Sequence, residues 1–118
     1  MEQRSVIAWC IMQGNVYPGI ENIIHVPNEG KRDPKTAARL KEEGLRPGVP
    51  DLFIPVPKWP SYAGLFIEMK RVHGSRVSEN QREWMAKLRE AGYGVKVCYG
   101  FEDAVETIKA YMERGVVI

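Results

Sequence analysis

The sequence contains little that would crosslink a small protein or anchor it in a membrane. Its two cysteines form no Cys-x-x-Cys pair. Cys10 lies within an apolar run and Cys98 ends one, so we expect both to be buried and unpaired. The two histidines lie far apart, which excludes a zinc site of the usual spacing. No apolar run approaches the roughly 20 residues of a membrane span. The charged residues 1–5 do not resemble a signal peptide, so we expect a cytoplasmic protein.

Neither sign of charge dominates. Seventeen basic residues face fifteen acidic ones, for a net charge of +2. This balance excludes a strongly basic nucleic-acid coating protein and an acidic tail, but it permits a local basic patch.

The chain has 118 residues, 44% of them hydrophobic. This size predicts a single domain over residues 1–118 that folds without crosslinks.

Hydrophobic spacing and turn residues predict an alternation of helices and strands. The helices are expected over 2–13, 33–43, 78–90 and 101–113, and the strands over 22–26, 51–56, 64–70 and 93–99. The first helix is apolar over much of its circumference, which predicts that it is well buried. The second is basic and predicted to lie on the surface. An antiparallel hairpin followed by a parallel crossover predicts an α/β fold, a mixed sheet with helices on both faces.

Charged residues stand at one end of the predicted hairpin. Pro50 and Asp51 open its first strand, and Glu68-Met69-Lys70 end its second. Side chains alternate along a strand, so Glu68 and Lys70 share a face. In an antiparallel hairpin the start of one strand lies beside the end of the other. The sequence therefore places Asp51 next to Glu68 and Lys70.

This arrangement suits a hard divalent cation. Two adjacent carboxylates repel each other unless a cation lies between them, and Mg²⁺ is commonly held by one or two carboxylates. The backbone carbonyl of Met69 offers a further oxygen. Lys70 can position a water or stabilise a phosphorane-like transition state, which predicts metal-dependent phosphodiester hydrolysis. The alternative is a solvated ion pair. At average composition, a chain of this length contains about 0.4 Glu-x-Lys triplets by chance. The expected number falls to on the order of 0.01 when an upstream Pro-Asp is also required, which disfavours this alternative.

Taken together, the motifs resemble a known family. They are Gly48-Val49-Pro50-Asp51-Leu52, Gly64-Leu65-Phe66-Ile67-Glu68-Met69-Lys70, Ser78-x-x-Gln81-x-x-Trp84 and Gly92-Tyr93-x-Val95. Over nearly the whole chain this pattern resembles the VRR-NUC branch of the PD-(D/E)XK nucleases, especially its small stand-alone phage and bacterial members. The resemblance implies a restriction-endonuclease-like core, dependence on Mg²⁺ or Mn²⁺, and cleavage of DNA.

The resemblance also implies roles for single residues. Asp51 and Glu68 would be metal ligands, Lys70 the catalytic lysine, and Gln81 the glutamine that supports the site. Glu2 is the candidate for the glutamate that the superfamily often adds from its first helix. Branched or junction DNA and a homodimer are the expected partners. One active site per chain also favours two subunits where both strands are cut.

Several flanking residues have open roles. Candidate phosphate contacts, for which a solvated surface is the alternative, are Arg71, His73, Arg76, Lys31, Arg32 and Lys35. Glu29 could bind the metal, lie beside the site or accept a hydrogen bond at a helix entry. His25 is expected to be a sheet histidine whose hydrogen bonds are satisfied. The alternative function is a non-catalytic nucleic-acid-binding module on the same fold. The complete set of Asp, Glu and Lys favours the enzyme.

Overall fold

The computed structural model describes residues 2–27 and 33–118, and its elements follow the predicted order. The helices are α1 (Glu2–Met12), α2 (Pro34–Glu42), α3 (Glu79–Glu90) and α4 (Phe101–Arg114). The strands are β1 (Ile24–His25), β2 (Leu52–Ile54), β3 (Leu65–Lys70) and β4 (Gly94–Tyr99). A short 3₁₀ helix, Ile20–Asn22, precedes β1 and shortens it. Pro55 follows β2 and, lacking an N–H group, limits that strand to three residues.

The four strands form one mixed sheet in the order β1-β2-β3-β4. The first two pairings are antiparallel, and β3 pairs with β4 in parallel. Leu52 lies opposite Ile67, so the residue before β2, Asp51, is aligned with Glu68. The predicted hairpin and crossover are confirmed.

Helices cover both faces of the sheet. The core on one face joins α1, α4 and alternate strand residues, among them Val6, Cys10, Leu52, Ile54, Leu65, Ile67, Cys98, Ile108 and Tyr111. On the opposite face α3 buries Met85 and approaches Glu68. The α/β prediction is therefore confirmed, and both cysteines are buried and free as expected. None of the helices in the described part of the chain has the length and apolar character needed to cross a bilayer.

The prediction that α1 is buried over most of its surface is wrong. Val6 and Cys10 are its two buried residues, while Ile11 and Met12 are 59% and 78% exposed. The reason is that α1 belongs to an outer layer, which packs one side against the sheet and α4 and turns the other side to solvent. The prediction for α2 holds, because that helix buries no side chain.

Gly48 allows the loop before Asp51 to approach the start of α3 closely. Gly48 has a φ of +99°, and a Cβ placed there would lie 2.8 Å from the backbone carbonyl of Asn80. We expect Gly48→Ala to lower the free energy of unfolding by more than the roughly 1–2 kcal/mol that left-handed backbone costs. Urea unfolding measures the change.

Gly44→Ala is the matched control. Gly44 also has a positive φ, +104°, but nothing lies within 4 Å of its added Cβ. Its substitution should therefore cost the backbone strain alone. Equal losses for the two variants would contradict a contact between the loop and α3.

Candidate active site

Asp51 lies one residue before β2, and its side chain forms a hydrogen bond with the backbone of β3. Its Oδ1 accepts a hydrogen bond from the backbone N–H of Met69 at 3.1 Å. The N–H and C=O of one strand residue point to the same side, so the Met69 carbonyl is also directed toward Asp51. This bond fixes the carboxylate at the end of the hairpin.

Glu68 is a buried carboxylate whose two oxygens have different surroundings. The residue is 5% exposed. Its Oε2 accepts a hydrogen bond from Gln81 Nε2 at 2.9 Å and lies 3.5 Å from Lys70 Nζ. Its Oε1 is buried and has no hydrogen-bond partner among the described residues. Since buried polar atoms are nearly always paired, this oxygen stands out as available to a ligand.

The two carboxyl groups are costly to ionise in the absence of a cation. Burial and, to a smaller extent, the negative charge of Asp51 raise the pKa of Glu68 to about 7, and Lys70 opposes this shift. Burial also raises the pKa of Asp51, against the hydrogen bond from Met69 and the charges of His25 and Lys70. Burial and the repulsion between the two carboxylates make their ionised forms unfavourable, and the neighbouring groups of the chain offset only part of this cost.

The first turn of α3 directs an amide at Glu68. Ser78 Oγ accepts from the backbone N–H of Gln81 at 3.1 Å, and Gln81 Oε1 accepts from the N–H of Ser78 at 2.9 Å. This is the predicted capping box, and it uses one end of the Gln81 amide. The other end, Nε2, is left to donate to Glu68. The helix cap therefore orients the residue that holds the carboxylate.

Comparison with known proteins identifies the fold and the family. The family model described as the VRR-NUC domain matches residues 2–102. The chain belongs to the VRR-NUC family. A solved structure described as a VRR_NUC domain protein is 29% identical, with a TM-score of 0.79 over 94% of this chain and 84% of that one. No curated protein matches the chain. The resemblance drawn from the motifs is confirmed, and the chain carries a nuclease-type domain.

The dual contact of Gln81 in this VRR-NUC domain gives a testable consequence. Gln81→Glu keeps an oxygen for the helix cap but replaces the donor to Glu68 with a second carboxylate oxygen. We expect the free energy of unfolding near about pH 8 to fall by about 1.5–3 kcal/mol, the value of a hydrogen bond to a charged group. The loss should shrink toward about pH 5, where the carboxyls take up protons.

Asn80→Asp provides the control for this prediction. It adds the same charge to the same turn of α3, at an exposed position where the helix dipole favours an anion. Thermal unfolding of both variants should show Asn80→Asp close to wild type. A Gln81→Glu variant as stable as this control would contradict the importance of the amide donor.

The structure also places His25 and the start of α1 beside the site. His25 Nδ1 lies 3.0 Å from the backbone carbonyl of Asp51, and the Gln3 side-chain amide is within hydrogen-bond distance of the same nitrogen. The sequence carried no signal for Gln3, because the contact spans 22 residues. Glu2, the neighbour of Gln3, joins no group of three or more metal-binding side chains in the described residues. Its predicted role as a ligand stays a prediction.

The candidate DNA contacts within the described residues lie in two exposed segments. Arg71, His73 and Arg76 are exposed in the segment that follows β3, where Ser75 Oγ accepts a hydrogen bond from the Arg71 N–H. Lys35 is exposed in the first turn of α2. The remaining three residues with predicted or open roles lie outside the described residues: Glu29, Lys31 and Arg32. All of these assignments stay predictions.

The donor set fits a hard divalent cation. Asp51 and Glu68 supply two carboxylates on adjacent positions of the hairpin, and the Glu68 Oε1 atom has no other partner in the described structure. The Met69 carbonyl adds a neutral oxygen on the same side. All three are oxygen donors of the kind that Mg²⁺ prefers, and sulfur and imidazole donors are absent from this set.

Proposed function

We propose that this VRR-NUC chain is a Mg²⁺- or Mn²⁺-dependent deoxyribonuclease that hydrolyses phosphodiester bonds. The observation that carries the proposal is the buried, unpartnered oxygen of Glu68 beside Asp51. A charged atom in that position costs several kcal/mol unless a cation neutralises it. Membership of a family of nuclease-type domains supports the same conclusion.

Each residue of the cluster has a separate task in this proposal. Asp51, Glu68 and the Met69 carbonyl would hold the ion, which supplies Lewis acidity toward the phosphate when bound. Gln81 fixes Glu68 in place through its amide hydrogen bond. The chain thereby presents its oxygens in one orientation before any ligand arrives, which lowers the cost of reorganisation.

Lys70 is the proposed catalytic cation. Its ammonium lies 3.5 Å from Glu68 Oε2, and its side chain is 15% exposed, so it contacts the carboxylate and is accessible to solvent. From this position it can orient the attacking water and stabilise negative charge that develops on the phosphate oxygens. A lysine with no carboxylate beside it would lack this fixed position.

Branched or junction DNA cut by a homodimer is the proposed substrate and assembly. The motif resemblance is the main support for both. The exposed Arg71 and Arg76 add positive charge directly after the catalytic strand, where they would contact phosphates close to the cleaved bond. Lys35 on the surface helix α2 would extend this contact.

A cleavage assay tests the proposal directly. Linear duplex, flap and four-way junction DNA are incubated with the protein in Mg²⁺, in Mn²⁺ and in EDTA. We expect cleavage with either ion, none in EDTA, and the highest rate on a branched substrate. Equal cleavage in EDTA would contradict metal dependence, and equal rates on all three substrates would contradict structure selectivity.

Calorimetry separates the enzyme from the non-catalytic alternative. Mn²⁺ titrated into wild-type protein should release or take up heat, and titration into Asp51→Asn should not, because one of the two carboxylates is lost. Asp103→Asn, at the start of α4, is a control that removes an acid outside the site. No heat with wild type, together with no cleavage of any substrate, would favour a DNA-binding module without catalytic activity.

A further inference from the structure

Strand β4 ends with an aromatic residue, Tyr99, next to the proposed catalytic lysine. Tyr99 is in register with Lys70 on the parallel strand β3. Residues in register on neighbouring strands direct their side chains to the same face of the sheet and lie roughly 4.8 Å apart. Glu68, two residues before Lys70, shares this face. The Tyr99 side chain therefore lies on the same face and at the same strand end as the candidate active site.

The Tyr99 side chain is available to a ligand, although its backbone is held in place. The residue is 43% exposed. In the described part of the chain its hydroxyl has no hydrogen-bond partner and its ring contacts no other aromatic ring. Its backbone N–H donates to Asp103 Oδ2 at 2.8 Å, and the N–H of Gly100 donates to the Lys70 carbonyl at 3.0 Å. An aromatic ring on a fixed backbone loses little conformational freedom when it binds.

Val72 adds a second apolar side chain beside this ring. A Cβ placed on Gly100 would lie 2.9 Å from Val72 Cγ2, so Val72 packs over the residue that follows Tyr99. Val72 is 58% exposed. Single exposed apolar side chains are common on protein surfaces, but these two lie close together beside a charged site. Tyr99 and Val72 thus form an apolar ledge next to Lys70.

The apolar ledge fits one part of a nucleic acid, the face of a base. We propose that Tyr99 stacks on an unpaired base next to the cleaved phosphodiester bond, with Val72 against the same nucleotide. Aromatic side chains bind single-stranded bases in this way with little preference for sequence. In a duplex the neighbouring bases cover both faces of each base, so a protein ring can stack only on a base that is unpaired or displaced. The ledge would therefore favour DNA with a single-stranded arm over continuous duplex.

The charges around the ledge favour a nucleic acid over a protein partner. Arg71 and His73 flank Val72 in the sequence, and Arg76 follows in the same exposed segment. Residues 71–76 include no aspartate or glutamate. Cations on both sides of an apolar contact match a base and the phosphates on either side of it. This inference rests on the proposed nuclease function and adds to it the residue that recognises the unpaired part of the substrate.

DNA binding in the absence of cleavage tests the stacking. The variants are made in Lys70→Ala protein with Mg²⁺, so that the DNA stays intact, and fluorescence anisotropy gives the Kd for a flap with a single-stranded arm and for a blunt duplex. Tyr99→Ala should weaken flap binding at least about fivefold, the value of one base–aromatic stack, and leave duplex binding unchanged. Tyr99→Phe keeps the ring and should bind both DNAs as the parent protein does.

Two further variants control this comparison. Tyr99→Leu keeps a large apolar side chain without a ring, so it should lose flap binding as Tyr99→Ala does. Trp59→Ala removes a ring that is 72% exposed between β2 and β3, at the opposite end of the hairpin from Asp51, and should not alter flap binding. Equal flap affinities of Tyr99→Leu and Trp59→Ala, with both folded by circular dichroism, would overturn the proposal. An equal loss of flap and duplex binding in Tyr99→Ala would also overturn it.

A photochemical crosslink locates the base. Iodouracil placed at the first unpaired nucleotides of the flap should crosslink to Tyr99 on irradiation, as mass spectrometry of the peptides would show. Crosslinks to other residues alone would overturn the assignment. Flap binding that depends on Tyr99, in a protein whose wild type cleaves no DNA, would contradict the proposed nuclease function alone. Wild-type cleavage of flaps, with equal flap affinity for Tyr99→Ala and Tyr99→Phe, would contradict the stacking alone.

Discussion

Lys70→Ala is expected to reduce phosphodiester cleavage by a factor of about 10² to 10⁴, the usual value of a positioned acid–base or electrostatic group. The ammonium next to Glu68 is the cation of the cluster, and alanine offers no charge and no proton. Folding and DNA binding should remain close to wild type, because the side chain makes one ion pair and lies outside the apolar core. Initial cleavage rates with saturating Mg²⁺ measure the loss.

Lys109→Ala is the control for this prediction. Lys109 is exposed on α4, which packs against the other face of the sheet, so its loss removes the same charge without touching the site. Its cleavage rate should equal that of wild type. Metal-dependent cleavage by Lys70→Ala at the rate of this control would contradict the mechanism.

Glu68→Gln should abolish cleavage and yet stabilise the metal-free protein near about pH 8. Glutamine keeps the shape of the side chain and the acceptor for Gln81, but it carries no charge to bury. In wild type the pKa of Glu68 rises from 4.5 to about 7 on folding. The stabilisation from the protonated form is therefore complete below pH 4.5 and is lost as the pH rises through about 7. The difference amounts to about 3 kcal/mol.

Unfolding in urea at several pH values, with EDTA present, tests this effect. The stability of Glu68→Gln relative to wild type should grow as the pH rises from about 5 to about 8. Glu106→Gln, at an exposed position of α4, should show no such trend. Mn²⁺ should raise the stability of wild type but not of Glu68→Gln, because binding to the folded state adds stability by mass action. A constant difference across this pH range would contradict the burial of a charged Glu68.

The central part of the site followed from local rules of sequence. A short hairpin brings the first residue of one strand beside the last residues of the next, and strand alternation determines which side chains share a face. These two rules place Asp51, Glu68 and Lys70 together from the sequence alone. The capping box likewise predicted where α3 begins and therefore where Gln81 lies.

Contacts between distant segments did not follow from the sequence. The approach of Gln3 to His25, and of His25 to the Asp51 carbonyl, depends on how α1 packs against the sheet. Its apolar residues surround the helix, so the pattern does not indicate which side meets the core. For the same reason the exposure of Ile11 and Met12 was not predicted. The sequence also gives no sign that one oxygen of Glu68 lacks a partner.

The surface position of α2 has a consequence for altering substrate preference. Because this helix buries no side chain, changes at exposed positions such as Lys35 and Arg39 should cost within about 0.5 kcal/mol of stability. Substitution of Gly48 should cost more stability, because the loop that contains it packs against α3, the helix that carries Gln81. A library randomised along the outer face of α2 would therefore vary the proposed DNA-contact surface while the fold and the cluster of Asp51, Glu68 and Lys70 stay constant. The proposed contact surface can thus be exchanged without disturbing the proposed chemical centre, although both belong to one small chain.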